Sequence, residues 1–192
     1  GFTNQPGYPI VRATGGACNA QGSGGDTIAV SQKRFALDDS ARTNTLWSIP
    51  MVAQRLGGQP VRSVVPARAQ ASINLPGCGG YILNAGRSAY FRVLYDQANL
   101  QALEQNFTQL SADDQLGTLL DYWAFARSGD APFSAYLDLM SHVPANADPL
   151  GASDNVSSVV ALNSYAEGRP SEAAVRDWGR ATLQTLMSRV GW

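Results

Sequence analysis

The chain has 192 residues, 44% of them hydrophobic and 15% charged, with a formal net charge of −1. That is enough apolar chain to bury a core, in two small domains. The 14 basic residues are scattered and nearly balanced by 15 acidic ones, which argues against nucleic acid as a partner, and no apolar run nears the roughly 18 residues that span a bilayer.

Residues 8 to 95 read as strand and turn. YPIVRAT (8–14), DTIAVSQKRFAL (26–37), LWSIPMVAQ (46–54), PVRSVV (60–65), ARAQASINL (67–75), GYILN (80–84) and AYFRVLYD (89–96) are short apolar or alternating runs. Between them lie GGACNAQGSGG, LGGQP and LPGCGG, where glycine permits positive φ and proline withholds a ladder donor. About seven short strands at this spacing predict an antiparallel β-sandwich over residues 1–96. In the run 28–35 neither alternating face is cleanly apolar, which predicts a strand partly buried on both sides. The glycines of 15–25 predict a loop tip.

From residue 97 the period changes, with no proline- or serine-rich linker. QANLQALEQNF (97–107) carries Leu100, Leu103 and Phe107 at helical spacing. SADDQLGTLLDYWAFARSG (111–129) has a serine cap, acidic residues in its first turn and a closing glycine. APFSAYLDLMSHV (131–143), PLGASDNVSSVVALNSYAEG (149–168) and SEAAVRDWGRATLQTLMSRVG (171–191) follow in the same style. The fold class is therefore α+β in series: the sandwich, then an all-α array of helical hairpins over 97–192.

The reactive inventory is small. There is one histidine, His142, and two cysteines, Cys18 and Cys78. A catalytic zinc takes three protein ligands and a His-Glu-x-x-His helix needs two histidines by itself, so that site is not built from these residues. A structural zinc would need both cysteines, His142 and a carboxylate from three distant regions. His142 falls at the end of a predicted helix, where its charge suits the dipole, and it lacks a Gly-x-Ser-x-Gly elbow. Cys18 and Cys78 both fall in glycine-rich turns. They are either a disulfide, which fits an exported or periplasmic protein, or two thiols in a reducing cytoplasm. Asp113, Asp114 and Asp121 resemble paired carboxylates, but the first two fall in a first helical turn and read as capping groups. The aromatic set Tyr90, Phe91, Tyr95, Tyr122, Trp123, Phe125, Phe133 and Tyr136 flanks the strand-to-helix change and reads as a core that seals the two halves.

The order of landmarks resembles the aminopeptidase N-type zinc metallopeptidases, the gluzincin aminopeptidases. QPGYPIV (5–11) is similar to the start of that family's sandwich, VSQKRF (30–35) to its Gln-x-Arg-Phe strand, and LWSIP (46–50) to its Trp-x-Ile-Pro strand. LNAGRSAYFRVLYD (83–96) is similar to its Asn followed by Gly-Tyr-Tyr-Arg-Val-x-Tyr-Asp, LSADDQLGTLLDYWAFARSG (110–129) to its Asp-Arg-x-x-Leu-Leu-x-Asp helix, and SRVGW (188–192) to its Leu-Gly-Trp. Gln115 stands where the family usually has arginine, Ala89 replaces a glycine, and PLGASD stands where a tryptophan is usual.

The resemblance implies a C-terminal part only: the sandwich and the first helices of a longer helical domain. It implies that no catalytic, cofactor-binding or metal-binding residue lies in this chain, the zinc belonging to a catalytic domain ahead of it. The implied partners are that catalytic domain and the peptide substrates of the parent enzyme, with the present chain as scaffold and part of the substrate-chamber wall. NAGRSAYFRVLYD (84–96) then reads as the last hairpin and last strand, with Tyr90, Arg92, Tyr95 and Asp96 as structural residues of the domain junction. The alternatives are a free-standing sandwich-plus-helix module that binds protein or peptide, and a hydrolase using His142.

Overall fold

The computed structural model describes residues 7–19, 25–144 and 148–188. The predicted loop tip at 20–24, Gln5 and Pro6 of the first motif, and Arg189 to Trp192 of the last lie outside the described residues.

Among the described residues, seven strands form two sheets. The first has β1 (Pro9–Gly15), β2 (Thr27–Arg34), β5 (Gln70–Asn74) and β7 (Arg92–Tyr95) in the order β5-β2-β1-β7. The second has β3 (Ile49–Arg55), β4 (Pro60–Val65) and β6 (Tyr81–Ile82) in the order β4-β3-β6. Alternation decides which side chains enter the core between them: Ile28 and Val30 from β2, Ile49, Met51 and Ala53 from β3, all nearly free of solvent. Each such side chain contributes roughly 1.5–3 kcal/mol by leaving water.

The run 28–35 buries Ile28, Val30 and Gln32 on one face, while on the other Ser31 and Phe35 are half-buried and Ala29 and Lys33 exposed, so the second face is covered in part, as the pattern suggests. Gln32 belongs on the apolar face because its amide behaves as a piece of backbone. Its Nε2 donates to the carbonyls of Trp47 and Pro66, each at 2.9 Å, and its Oε1 accepts from the Trp47 N–H at 2.9 Å. The bonds offset the cost of burying a polar group and tie the first sheet to the approach to β3.

The sandwich is mostly antiparallel, with one exception. β7 runs parallel to β1, in the register Ile10↔Arg92 to Ala13↔Tyr95. The segment 84–96 is therefore no hairpin. β6 pairs with β3 in the second sheet, and the chain crosses to the first sheet before β7 begins. Asn84 shapes the crossing: its Nδ2 donates to the carbonyls of Ala89 (2.9 Å) and Phe91 (3.2 Å), and its Oδ1 accepts from the Ala89 N–H (3.0 Å). Gly86 supplies the positive φ of 65° that the turn at Ala85–Arg87 requires.

Among the described residues five α-helices follow: α1 (Gln97–Gln105), α2 (Ala112–Ser128), α3 (Phe133–Ser141), α4 (Pro149–Ala166) and α5 (Glu172–Met187). α2 pairs with α3 and α4 with α5, the predicted hairpins. Their ends follow local chemistry. The Asp96 carboxylate caps α1 by accepting from the Asn99 N–H, Ser111 caps α2 through the Asp114 N–H, and Gly129 closes α2 in the left-handed region. The apolar core is continuous across the two halves: Tyr81, Leu83, Phe91 and Tyr95 pack in one cluster with Leu100, Leu103, Phe107, Tyr122 and Phe125.

Candidate functional site: charged anchors at the junction of sandwich and helices

The centre of the junction is Asp121. It lies within the buried face of α2 between Leu119 and Phe125 and is 4% exposed. Its Oδ1 accepts from Arg92 Nη1 at 2.9 Å and from Arg87 Nη1 at 3.3 Å, and its Oδ2 accepts from the Val93 N–H at 2.9 Å. Burial raises its carboxyl above the ordinary 3.8, while the two guanidiniums and the Val93 N–H pull it down. One helical carboxylate thus meets both the sheet crossing and the first residues of β7.

Arg92 does more than neutralise Asp121. It donates to the Leu120 carbonyl (3.0 Å) and, through Nε, to the Tyr8 hydroxyl (3.0 Å), and its guanidinium lies 5.1 Å from the ring centroids of both Tyr8 and Phe35. Arg87 lies across α2 and donates to the Gly117 carbonyl at 3.0 Å. A glycine inside a helix costs roughly 1 kcal/mol against alanine. Here it makes room, since a Cβ on Gly117 would stand 2.3 Å from Arg87 Cδ.

A second anchor lies just past the end of α2. Asp130 forms ion pairs with Lys33 of β2 and with Arg42 (3.7 Å), and Arg42 also donates to the Ser128 carbonyl at 3.3 Å. Burial alone would raise the Asp130 carboxyl, but bonds from Lys33 and Ser128 and the charges of Lys33 and Arg42 hold it below its ordinary 3.8. A carboxyl depressed in the folded state stabilises the fold above its unfolded pKa, and the contribution is lost as pH falls through the folded value. Asp130→Asn is therefore expected to be less stable than the parent chain at pH 6 and to converge with it as the pH falls below the ordinary carboxylate value of 3.8. Urea midpoints measured from pH 6 to pH 2.5 test this, and a constant gap between the two proteins would refute it.

At the far end of β3, Arg55 is 7% exposed and ties two loops together, the β1–β2 and β5–β6 connections. Its Nη1 donates to the carbonyls of Gly16 (3.0 Å) and Gly79 (2.6 Å), and its Nη2 to those of Gly25, Leu75 (3.0 Å) and Gly77 (2.8 Å). The guanidinium also faces the Tyr81 ring at 5.4 Å. Burial lowers its pKa from the ordinary 12.5. The same loops bring Cys18 and Cys78 together, with Cα atoms 5.3 Å apart, inside the range a disulfide requires. α1 is seated at this end: Asp96 Oδ2 accepts from the Gly15 N–H at 3.0 Å, and the Asn99 amide exchanges two bonds of 2.9 Å with the backbone of Tyr81.

The residues singled out in the sequence fall in different places. Tyr95 is buried in the seam, its N–H donating to the Tyr122 hydroxyl at 3.3 Å and its own hydroxyl accepting from the Leu83 N–H at 3.2 Å. Burial pushes both phenols well above the ordinary 10. Phe91, Phe125 and Tyr136 are buried too, and Trp123 is half-buried. Tyr90 is 66% exposed, and its ring meets edge-on, at 5.0 Å, the ring of Tyr8 over which the Arg92 guanidinium lies. Phe133 is also exposed. Asp114 exchanges bonds with Ser111 and accepts from the Gly86 N–H at 2.8 Å, while Asp121 stands apart from it as the buried anchor. His142 ends α3 on the surface, with Nδ1 2.8 Å from the Asp138 carbonyl. Arg55, Arg87 and Gln32 carry contacts that the sequence did not single out. Among the described residues no group of three or more His, Cys, Asp or Glu stands close enough to hold a metal ion, and no helix is long and apolar enough to cross a membrane.

The strand β6, the crossing, β7 and all five helices fall within one family match. A family model described as the ERAP1-like C-terminal domain matches residues 81–192. The chain belongs to the M1 aminopeptidase family. It is 24% identical to aminopeptidase N of Plutella xylostella over its whole length, which is 21% of that protein. It is 32% identical to probable aminopeptidase 1 of Saccharolobus solfataricus over 65% of this chain and 14% of that one. It is 22% identical to the thyrotropin-releasing hormone-degrading ectoenzyme of Rattus norvegicus over its whole length, 19% of that protein. The chain thus spans between about a seventh and a fifth of the length of these M1 aminopeptidases, and the family model it matches is of a C-terminal domain. The match starts at β6, ahead of the boundary at residue 97 expected from the change of period, so Arg87 and Arg92 fall inside the matched region together with Asp121.

Proposed function

We propose that this chain is a non-catalytic C-terminal portion of a zinc-dependent aminopeptidase, in which the sandwich holds the helices against the catalytic domain of the same polypeptide. The observation that carries this reading is the charged seam. Asp121 and Asp130 fix the two ends of the C-terminal half of α2 to the sandwich through Arg87, Arg92, Lys33 and Arg42, so a load on the helices passes into the sheet without a flexible joint. The residues here do not fit a zinc site, and no catalytic step is assigned to them. In the parent the metal would activate a water for attack on the first peptide bond of a peptide with a free N-terminus.

Tyr95 and Asp96 act in this proposal as structural residues that fix the junction, one buried in the seam and the other capping α1. The helices also frame a groove of about 550 Å³ lined by Phe133, Leu137, Leu162, Tyr165, Arg127 and Arg169, a surface suited to form part of the wall that peptides pass. The test is a pair of assays on N-terminal amino-acid release. The full-length protein is expected to release residues from peptides and to stop when chelated, and the 192-residue chain alone is expected to release none. Activity of the isolated chain, or none in the full-length protein, would overturn the reading.

A further inference from the structure

We propose that Cys18 and Cys78 form a reversible dithiol–disulfide site, which opens and closes without unfolding the sandwich because Arg55 clamps the same loops by a route that does not involve sulfur. The inference stands on the loop geometry and does not depend on the aminopeptidase reading. The two Cα atoms are 5.3 Å apart across a sequence separation of 60 residues. Cys78 is exposed and Cys18 half-buried, so a small thiol reagent reaches the pair from the Cys78 side. Opening a crosslink around so long a loop normally releases much unfolded-state entropy and loosens a small domain.

Here the loops keep other fastenings. Gly16 stands two residues before Cys18, and Gly77 and Gly79 flank Cys78; the carbonyls of all three accept from Arg55. Gly25 and Leu75, from the neighbouring turns, accept from the same guanidinium. Backbone bonds add to the clamp: Gly79 N–H to the Gly16 carbonyl (3.2 Å), Leu75 N–H to the Asp26 carbonyl (2.7 Å) and Gly77 N–H to Asp26 Oδ1 (2.6 Å). The packing is close as well, since a Cβ on Gly25 would stand 2.8 Å from the Gly77 carbonyl oxygen and 3.0 Å from Cys78 Sγ. After reduction the two thiols are still held as neighbours and are ready to close again.

The exchange is a two-electron step. A thiolate of an added dithiol attacks one cysteine sulfur, the sulfur–sulfur bond breaks, and a mixed disulfide forms. The second thiol of the reagent then displaces the remaining cysteine. Two protons and two electrons end on Cys18 and Cys78, and the reagent leaves as its own disulfide. A small-molecule disulfide such as oxidised glutathione drives the reverse. The cysteine pair therefore does not bind the fold to an oxidising compartment, because Arg55 holds the loops in a reducing one.

The experiment uses the full-length protein under native conditions. It is reduced with dithiothreitol, alkylated with iodoacetamide and followed by hydrogen exchange over residues 70–83 and 92–105. Both cysteines are expected to be alkylated, with exchange in these segments changed by less than about threefold, and oxidised glutathione is expected to restore the bond in unalkylated protein. Resistance of the pair to alkylation, failure to re-form, or loss of protection on reduction overturns the proposal. In Arg55→Gln the oxidised protein is expected to stay folded, and reduction is expected to speed exchange in these segments by about tenfold or more; a response equal to that of the unaltered protein overturns the proposal. If Arg55→Gln does not fold, the Cys18→Ser, Cys78→Ser double variant decides, since it retains Arg55 and is expected to keep the exchange pattern of the oxidised protein. Loss of that pattern refutes the clamp.

Discussion

Asp121→Ala is expected to lower folding stability by about 3–5 kcal/mol, the range for removing one partner of a buried ion pair. The reason is what remains. Arg92, whose side chain is 20% exposed, would keep its bonds to Leu120 and Tyr8 but face an emptied site, and the Val93 N–H would lose its acceptor at the start of β7. Arg87, at 36% side-chain exposure, turns to water and contributes little to the loss. Asp121→Asn probes the charge separately. An amide of the same size offers one acceptor and one donor where the carboxylate offers two acceptors, so either Arg92 or the Val93 N–H meets a donor. Its expected loss is about 2–3 kcal/mol. Replacing the pair together, as Asp121→Leu with Arg92→Met, is expected to cost less than Asp121→Ala alone, because no uncompensated charge is left buried. Urea unfolding at pH 7 measures all three. A loss for Asp121→Ala no greater than that of Asp113→Ala, in the exposed first turn of α2, would sink the assignment of Asp121 as the anchor.

What was legible in the sequence was local. The window 60–65 coincides with β4, and the caps at Ser111 and Gly129 bound α2, because strand alternation and cap chemistry need only neighbouring residues. The family resemblance was legible for a similar reason: it rests on the order of short motifs along the chain. What escaped was set by contacts distant in sequence. The parallel pairing of β7 with β1 follows from the sheet crossing, which four-residue apolar strands cannot announce, and the crossing depends on the amide of Asn84. Gln32 is polar by composition and interior by function, because its partners lie 15 and 34 residues away.

Asp121 illustrates the same limit more sharply. Its spacing from Asp114 suggests a shared carboxylate face, whereas its partners are arginines 29 and 34 residues earlier. A signal was present in the sequence, since Asp121 is the lone charge in the apolar run from Leu119 to Ala126. A charge in such a run is buried only when something pairs with it. The same signal marks Arg55 at the close of the apolar strand β3. Tyr90 shows the converse, for an aromatic beside the junction in sequence is left 66% exposed while its neighbour Phe91 is buried.

Arg55→Met is the second substitution with a large expected effect, a loss of about 3 kcal/mol or more with the cysteines left oxidised. Methionine keeps the unbranched stem only as far as the position of Nε, so the loss reports the guanidinium, its place over the Tyr81 ring and the space it leaves. Five carbonyls lose their donor, but not equally. Gly77 and Gly79 are exposed and regain water, whereas Gly16, Gly25 and Leu75 are buried, and Gly16 keeps the Gly79 N–H as a second donor. A buried acceptor left unsatisfied costs about 1–3 kcal/mol, which sets the scale. Arg55→Lys is expected to cost less than Arg55→Met, since an ammonium keeps the charge but cannot span five carbonyls on two loops from one point. Arg62→Met, on the exposed face of β4, is the control and is expected to stay within about 0.5 kcal/mol of the parent chain. The consequence reaches the helices, because the loop that Arg55 holds at Gly16 continues from Gly15, whose N–H reaches the capping carboxylate Asp96, and because Tyr81 carries Asn99 of α1. Hydrogen exchange in Arg55→Met should therefore quicken in α1 as well as in the loops. Exchange confined to the loops, with α1 unchanged, would show that the clamp and the helix seat are independent.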